Sequence, residues 1–215
     1  MEWVLNELEK DLFKEIANIG LSKAADALAV LSKEKVLLNA PDIHLVPPDK
    51  LVEIITVEGN STIVVHSDIR GDLEGKTLLL FSQHHVEKFI NESIAALNEN
   101  KSNMDELRDS LLLEISNIIT GSIITQFANI FKLKIYGSVP QGPEYNVEES
   151  LKESLRRFPA FQPLIFSIQT KFLNSGRLLE LPLLIVFDTD TLLKLLSIIR
   201  SENYSKFNFL KRHNV

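Results

Sequence analysis

The strongest constraint on how this chain folds is a polar phrase that occurs twice. Asp11-x3-Glu15-x2-Asn18 is followed after 22 residues by Pro41, and Ser110-x3-Glu114-x2-Asn117 is followed after 22 residues by Pro140. Each Glu, Asn and Pro recurs at an offset of 99 positions. A lone Glu and Asn on a helix are usually solvated surface. Their recurrence with a distant proline in register, amid surroundings that have drifted, points to a job for the pair and divides the chain into two related halves.

At 215 residues the chain is long enough to bury one large core. Apolar residues make up 45% and charged residues 24%, as in soluble globular proteins. No window is expected to reach the apolar length of a membrane span. The N-terminal Met1-Glu2-Trp3-Val4 lacks the basic-then-apolar pattern of a signal peptide. The absence of cysteine removes disulfides and thiolate metal sites and leans toward a cytoplasmic protein. A formal charge of −6 argues against a nucleic-acid partner.

Residues 6 to about 31 read as one helix, opened by Asn6-Glu7-Leu8-Glu9 as a capping box, with Leu12, Ile16, Ile19, Ala27 and Leu28 as its apolar face. Residues 35 to 46 read as extended, broken at Pro41-Asp42. Thr62–His66 and Thr77–Phe81 read as a hairpin, and a helix is expected over 83–98. The order then repeats. Asn103 opens a helix over 104–131, with Leu111, Leu112, Ile115 and Ile118 on its apolar face. Leu133–Tyr136 is extended, Pro140–Pro143 turns, 147–157 is helical, 163–172 and 178–187 pair, and a last helix runs to about Arg200.

The expected fold class is therefore α/β of the α+β type. It is a pseudo-two-fold duplicated helix–strand–hairpin–helix unit around a shared, largely antiparallel sheet, with two long exposed motif helices. The repeats are 6–98 and 103–200 within one domain over 1–200, and 201–215 is a polar tail. A period near 100 is too long for a solenoid. Internal duplication makes a monomer the expected state.

On a helix turning 100° per residue, Asp11, Glu15, Asn18 and Ser22 fall within an arc of roughly 60°, away from the apolar face. The same holds for Ser110, Glu114, Asn117 and Gly121. Each helix thus offers a carboxylate and a carboxamide one turn apart, and then a small residue that lets another protein approach. A carboxamide both donates and accepts, so it can hold a water in line without acting as a strong base. That suits phosphoryl hydrolysis, where catalysis is mostly positioning. A Glu one turn away can pair with a partner's cation. With no nucleophilic cysteine, phosphate loop or metal cluster, the pair must complete a site that another protein brings.

This twice-occurring [Asp/Ser]-x3-Glu-x2-Asn-x22-Pro pattern resembles the CheC/CheX/FliY family of chemotaxis phosphatases, its CheC branch most closely, over about residues 11–187. The resemblance implies hydrolysis of the phospho-aspartate of a CheY-like response regulator in two-component signalling. It implies that Asn18 and Asn117 orient the attacking water and that Glu15 and Glu114 contact the regulator's active-site lysine. Asp11, Ser22, Ser110 and Gly121 would assist docking. The chain would need no cofactor or metal of its own, since the receiver supplies Mg²⁺. A CheD-like deamidase is a further possible partner. Family members usually continue the first Asn as Ile-Gly-Ala-Gly, whereas this chain has Ile19-Gly20-Leu21-Ser22-Lys23. The bulk of Leu21 and Lys23 predicts a weaker first site and a stronger second one.

The rival reading is a binding module of the same fold that docks a receiver, a flagellar switch component or a CheD-like deamidase with little hydrolysis. A third reading, an unrelated ligand-binding protein, requires a deep apolar pocket. Other polar residues have structural readings: His66 a satisfied histidine in a strand, His84-His85 exposed surface, Pro41 and Pro140 strand ends or turns. The basic stretch Lys206–His213 reads as a solvated terminus.

Overall fold

The computed structural model describes residues 5–46, 62–84, 86–87, 104–156, 161–172 and 178–201. Along the chain run α1 (Glu7–Ser32), β1 (Val36–Leu45), β2 (Thr62–Gly71), β3 (Gly75–Ser82), α2 (Met104–Phe131), β4 (Ile135–Gly137), β5 (Gln141–Glu144), α3 (Val147–Leu155), β6 (Phe161–Phe172), β7 (Leu178–Asp188) and α4 (Thr189–Ser201). Both motif helices and both hairpins stand where the periodicity predicts. The helix expected over 83–98 lies mostly outside the described residues, although Gln83, His84, Val86 and Glu87 are helical. Asn103, the loop 173–177 and the tail 202–215 also lie outside them.

The strands form one antiparallel sheet in the order β1-β6-β7-β3-β2-β4, with β5 also paired to β2. β3 and β7 meet at the centre, with Gly75 opposite Phe187 and Leu79 opposite Leu183. Outward from them lie their hairpin mates, β2 and β6. The ends are exchanged. β1, from the first half, pairs with β6 of the second. β4 and β5, from the second half, pair with β2 of the first.

The recurring prolines mark the same event at the two ends of the sheet. The β1–β6 register shifts between Asn39 and Asp42, around Pro41. Pro140 falls between β4 and β5, where pairing along β2 is interrupted. Proline cannot donate to a ladder, so it is tolerated at an edge strand or a bulge.

Local chemistry explains the helix ends. The Asn6 side chain accepts from Glu9 N–H at 2.9 Å, while Asn6 N–H donates to Glu9 Oε2 at 2.9 Å. Glu9 is fully buried, and its other oxygen accepts from Arg200 Nε at 2.8 Å, which ties α4 to the start of α1. α1 and α2 both stop at a lysine in the left-handed region, Lys33 (φ 56°) and Lys132 (φ 54°), again 99 positions apart. Glycine is the residue usually found there, so no glycine announced either stop.

α1 lies over β1, and α2 over β2, β4 and β5. The helices touch each other along the middle. Phe13 and Phe127, both fully buried, stack with centroids 5.8 Å apart. Burying each ring contributes about 2–3 kcal/mol. A Cβ on Gly20 would stand 3.0 Å from Ile123 Cα, so this glycine sets the closest approach of the two helices. The opposite face of the sheet carries a smaller cluster in which Val147 and Leu151 of α3 cover Val64, Leu78, Leu80, Leu184 and Val186.

Four sequence expectations need correction, the first being the turn over 140–143: β4 and β5 both run antiparallel to β2, so the chain continues along that edge of the sheet there instead of turning. Ala27 is exposed and Ile19 half-buried, whereas Phe13, Ala17, Leu21 and Ala24 fill the contact face of α1. Leu21 is fully buried, so its bulk cannot obstruct a visitor; of the two departures only Lys23 is exposed. Finally, α2 is long and apolar enough to cross a membrane by length and composition, with a window of mean hydropathy 1.4. Half of that window is buried inside the fold. A helix that must cover both a sheet and a neighbouring helix is apolar over most of its circumference.

Candidate functional site

Both motif stripes run along the outer sides of their helices. On α2, Ser110, Glu114 and Asn117 are exposed and Gly121 is half-exposed. On α1, Asp11 and Ser22 are exposed, while Glu15 and Asn18 are half-buried. Neither Asn is sealed in the interior. Glu and Asn stand three residues apart in each copy, about 4.5 Å along the axis, on one side of the helix.

The two stripes face away from each other. Gly20, which touches α2, lies roughly 170° around α1 from the centre of the first stripe. Ser122 and Ile123, which Gly20 meets, lie roughly 110° and 150° around α2 from the centre of the second, on either side of the direction opposite to it. Because β1 and β4 are at opposite ends of the sheet, each stripe looks toward its own edge of the molecule.

On the second side this arrangement creates a cleft of about 240 Å³ between α2 and the edge of the sheet. Asn117, Gly121 and Thr125 form its helical lip, and Tyr136, Gly137 and Ser138 form its lip on β4 and just beyond. Ser67, Thr77 and Thr120, all buried, line its interior. This is not the deep apolar pocket that a ligand-binding protein would require. Gly121 opens onto it, and a Cβ there would meet no heavy atom within 4 Å. The fold itself therefore does not need a glycine at 121.

Charged groups frame the second stripe. Near its start, Arg108 bonds Asp105 at 2.8 Å and Asp109 at 3.1 Å and lies 5.3 Å above the Tyr145 ring. The Tyr145 hydroxyl donates to Asp109 at 2.8 Å. Burial and that bond raise the phenol above its ordinary value, so it remains a donor. Behind the cleft, Asp68 bonds Arg70 at 3.1 Å and lies 3.4 Å from the buried Lys76. Burial pushes the Asp68 carboxyl up, but the two cations outweigh it and hold it below the usual carboxylate range. His66 is buried, with Nε2 3.1 Å from Glu144 Oε1, in keeping with its structural reading. His84 is exposed, and His85 lies outside the described residues. Among the described residues, no group of three or more His, Asp or Glu is placed to hold a metal.

The structure thus brings Asn117 and Gly121 together with residues that the motif did not include: Ser67, Thr125, Tyr136 and Ser138. Alternation in the short strand, Ile135 inward and Tyr136 outward, was the available signal for Tyr136. No local pattern links Ser67 to Asn117.

The model of the CheC-like family matches residues 107–141, which hold the entire second motif. The CheY-P phosphatase CheC of Bacillus subtilis (strain 168) is 30% identical over 139 residues. That match spans 64% of this chain and 66% of the relative's length. The crystal structure of Thermotoga maritima FliY superposes with a TM-score of 0.68 at 18% identity, over 94% of this chain and 100% of that one. FliM in a FliG–FliM complex from H. pylori superposes with a TM-score of 0.54 at 7% identity, over 86% of this chain and 94% of that one.

Proposed function

We propose that this chain, similar to the CheC-like family and to CheC of Bacillus subtilis, is a CheC/CheX/FliY-type protein that hydrolyses the phospho-aspartate of a CheY-like receiver domain. The observation that carries the reading is the exposed Glu114–Asn117 pair on the outer side of α2, inside the segment matched by the family model. In this mechanism Glu114 pairs with the receiver's active-site lysine and sets the docking register. The Asn117 carboxamide then holds a water in line with the phosphorus. Water oxygen bonds to phosphorus as the bond from phosphorus to the aspartate oxygen breaks. The products are inorganic phosphate and the free carboxylate. The receiver brings the phosphoryl group and its Mg²⁺, and this chain contributes position. Glu15 and Asn18 play the same parts on α1. Asp11, Ser22, Ser110 and Gly121 shape the docking surface. The exchanged sheet ends and the prolines at both of them support reading the chain as a duplication within one domain. The reading makes the chain a cytoplasmic monomer, working where receivers are phosphorylated.

The test is to add the protein to a phosphorylated CheY-type receiver and follow release of phosphate. Acceleration that disappears when Asn18 and Asn117 are both changed to Ala supports the enzyme. Binding without acceleration replaces it with the docking module. That second reading has one observation behind it: the same fold occurs in FliM, which the neighbouring structure holds in complex with FliG. A switch component or a CheD-like deamidase would then be the partner.

Gly121 provides a check on the docking surface. With open space at its Cβ and a helical backbone, Gly121→Ala is expected to raise stability by about 1 kcal/mol and leave activity intact. Gly121→Arg is expected to keep the unfolding midpoint near that of the parent and block receiver capture. Denaturant titration paired with receiver binding reads both. A Gly121→Arg protein that still binds would remove Gly121 from the interface.

A further inference from the structure

The geometry points to the α2–β4 cleft as a socket that a docked receiver fills with one neutral, hydrogen-bonding side chain. The inference rests on the receiver-docking reading, since the cleft shares Asn117 with the proposed hydrolytic site. A receiver whose phosphoryl group reaches the Asn117 amide brings its neighbouring chain segments over the mouth of this cleft.

Three observations define what fits. At about 240 Å³ the cleft is smaller than the usual site for a free metabolite but large enough for one side chain. No charged side chain lines it, and Asp68 and Lys76, next along β2 and β3 from the lining Ser67 and Thr77, are paired with each other. A charged visitor would lose hydration there without a counterion. Lastly, Ser67 lines the cleft, is 3% exposed, and its Oγ has no hydrogen-bond partner among the described residues. Its neighbour Thr77 spends its hydroxyl proton on Ser67 O at 3.3 Å, and Thr120 donates to Ser116 O at 2.6 Å. An unsatisfied buried hydroxyl is costly in the free protein. A visiting amide or hydroxyl that bonds it recovers that cost on docking. Tyr136, 61% exposed, forms the outer wall and offers an aromatic surface with a polar tip, a composition frequent in binding hot spots. Together these make Ser67 and Tyr136 specificity residues for the receiver, while Asn117 serves the chemistry.

The test uses Ser67→Ala and Tyr136→Ala with the same phosphorylated receiver, reading KM, kcat and thermal stability, and receiver Kd by calorimetry. Ser67→Ala is expected to leave the melting temperature unchanged or higher while weakening KM and Kd about five- to tenfold, with kcat preserved. Tyr136→Ala is expected to weaken capture at least as much, again with kcat preserved. Asn117→Ala gives the converse, a fall in kcat. If Ser67→Ala and Tyr136→Ala both bind the receiver as the parent does, the cleft is no socket and the inference fails. A parent protein that binds but does not hydrolyse sinks the phosphatase reading alone, because the Kd comparison still decides the socket. A parent protein that does not bind the receiver overturns both.

Discussion

Asn117→Ala is expected to lower the phosphatase rate by about two orders of magnitude, the scale on which lost positioning of a reactant costs an enzyme. Asn18→Ala is expected to cost much less. The asymmetry has a structural reason that differs from the one the sequence suggested. Leu21, the conspicuous departure in the first copy, is fully buried and out of play. What separates the copies is access. Glu114 and Asn117 are exposed, whereas Glu15 and Asn18 are half-buried, so the first pair presents less of itself to a docked domain. Lys23, exposed one residue beyond Ser22, adds a cation where the second copy has the half-buried Ser122. The stripes face opposite edges of the molecule, so the two proposed sites are expected to act independently. The rates lost in the two single variants should therefore account for the loss in the double variant. Single-turnover decay of the phosphorylated receiver measures all three. A larger loss at Asn18 than at Asn117 would overturn this ranking.

Gly71→Ala is expected to be the most damaging conservative change to the fold, costing about 3 kcal/mol or more. Gly71 ends β2 with φ of +115°, where side chains are strained. A Cβ on it would lie 1.9 Å from Lys134 O, which is backbone and has nowhere simple to go. That carbonyl also accepts from Asp72 N–H at 3.0 Å, and the Asp72 carboxylate accepts from Lys134 N–H at 2.7 Å. The added methyl group thus pushes apart the clamp that docks β4 beside β2. Because β4 supplies one lip of the cleft at Asn117, activity at the second site should fall together with stability. Urea unfolding of Gly71→Ala against Gly137→Ala, where a Cβ meets nothing within 4 Å, isolates the effect. Equal midpoints for the two variants would show that the clamp tolerates a side chain.

Much of the architecture was legible because it is local. The period of the apolar residues placed α1 and α2, and Asn6 with Glu9 marked the start of α1. Asp11, Glu15, Asn18 and Ser22 shared one side of a helix wherever that helix was put, because side-chain direction follows from the turn per residue. Other features lay beyond reach for identifiable reasons. Both long helices stop at lysines, Lys33 and Lys132, that resemble any other surface lysine in the sequence. The apolar richness of α2 suits a membrane span as well as a buried helix, and only its packing on α1 and the sheet separates the two.

The sequence by itself determined the repeating unit, the two polar stripes and the proline that interrupts each following strand. The stripes depend only on residues within a few turns of one another, and the repeat with its prolines is read directly from the 99-position offset along the chain. The tertiary structure alone decided that each half lends its edge strand to the other half's hairpin. It also decided that the stripes turn away from each other across Gly20, and that Ser67 and Tyr136 gather around Asn117. Those relations join residues tens of positions apart in the chain. Strand pairing and helix contact set them, and side-chain periodicity carries no record of which strand will be the neighbour.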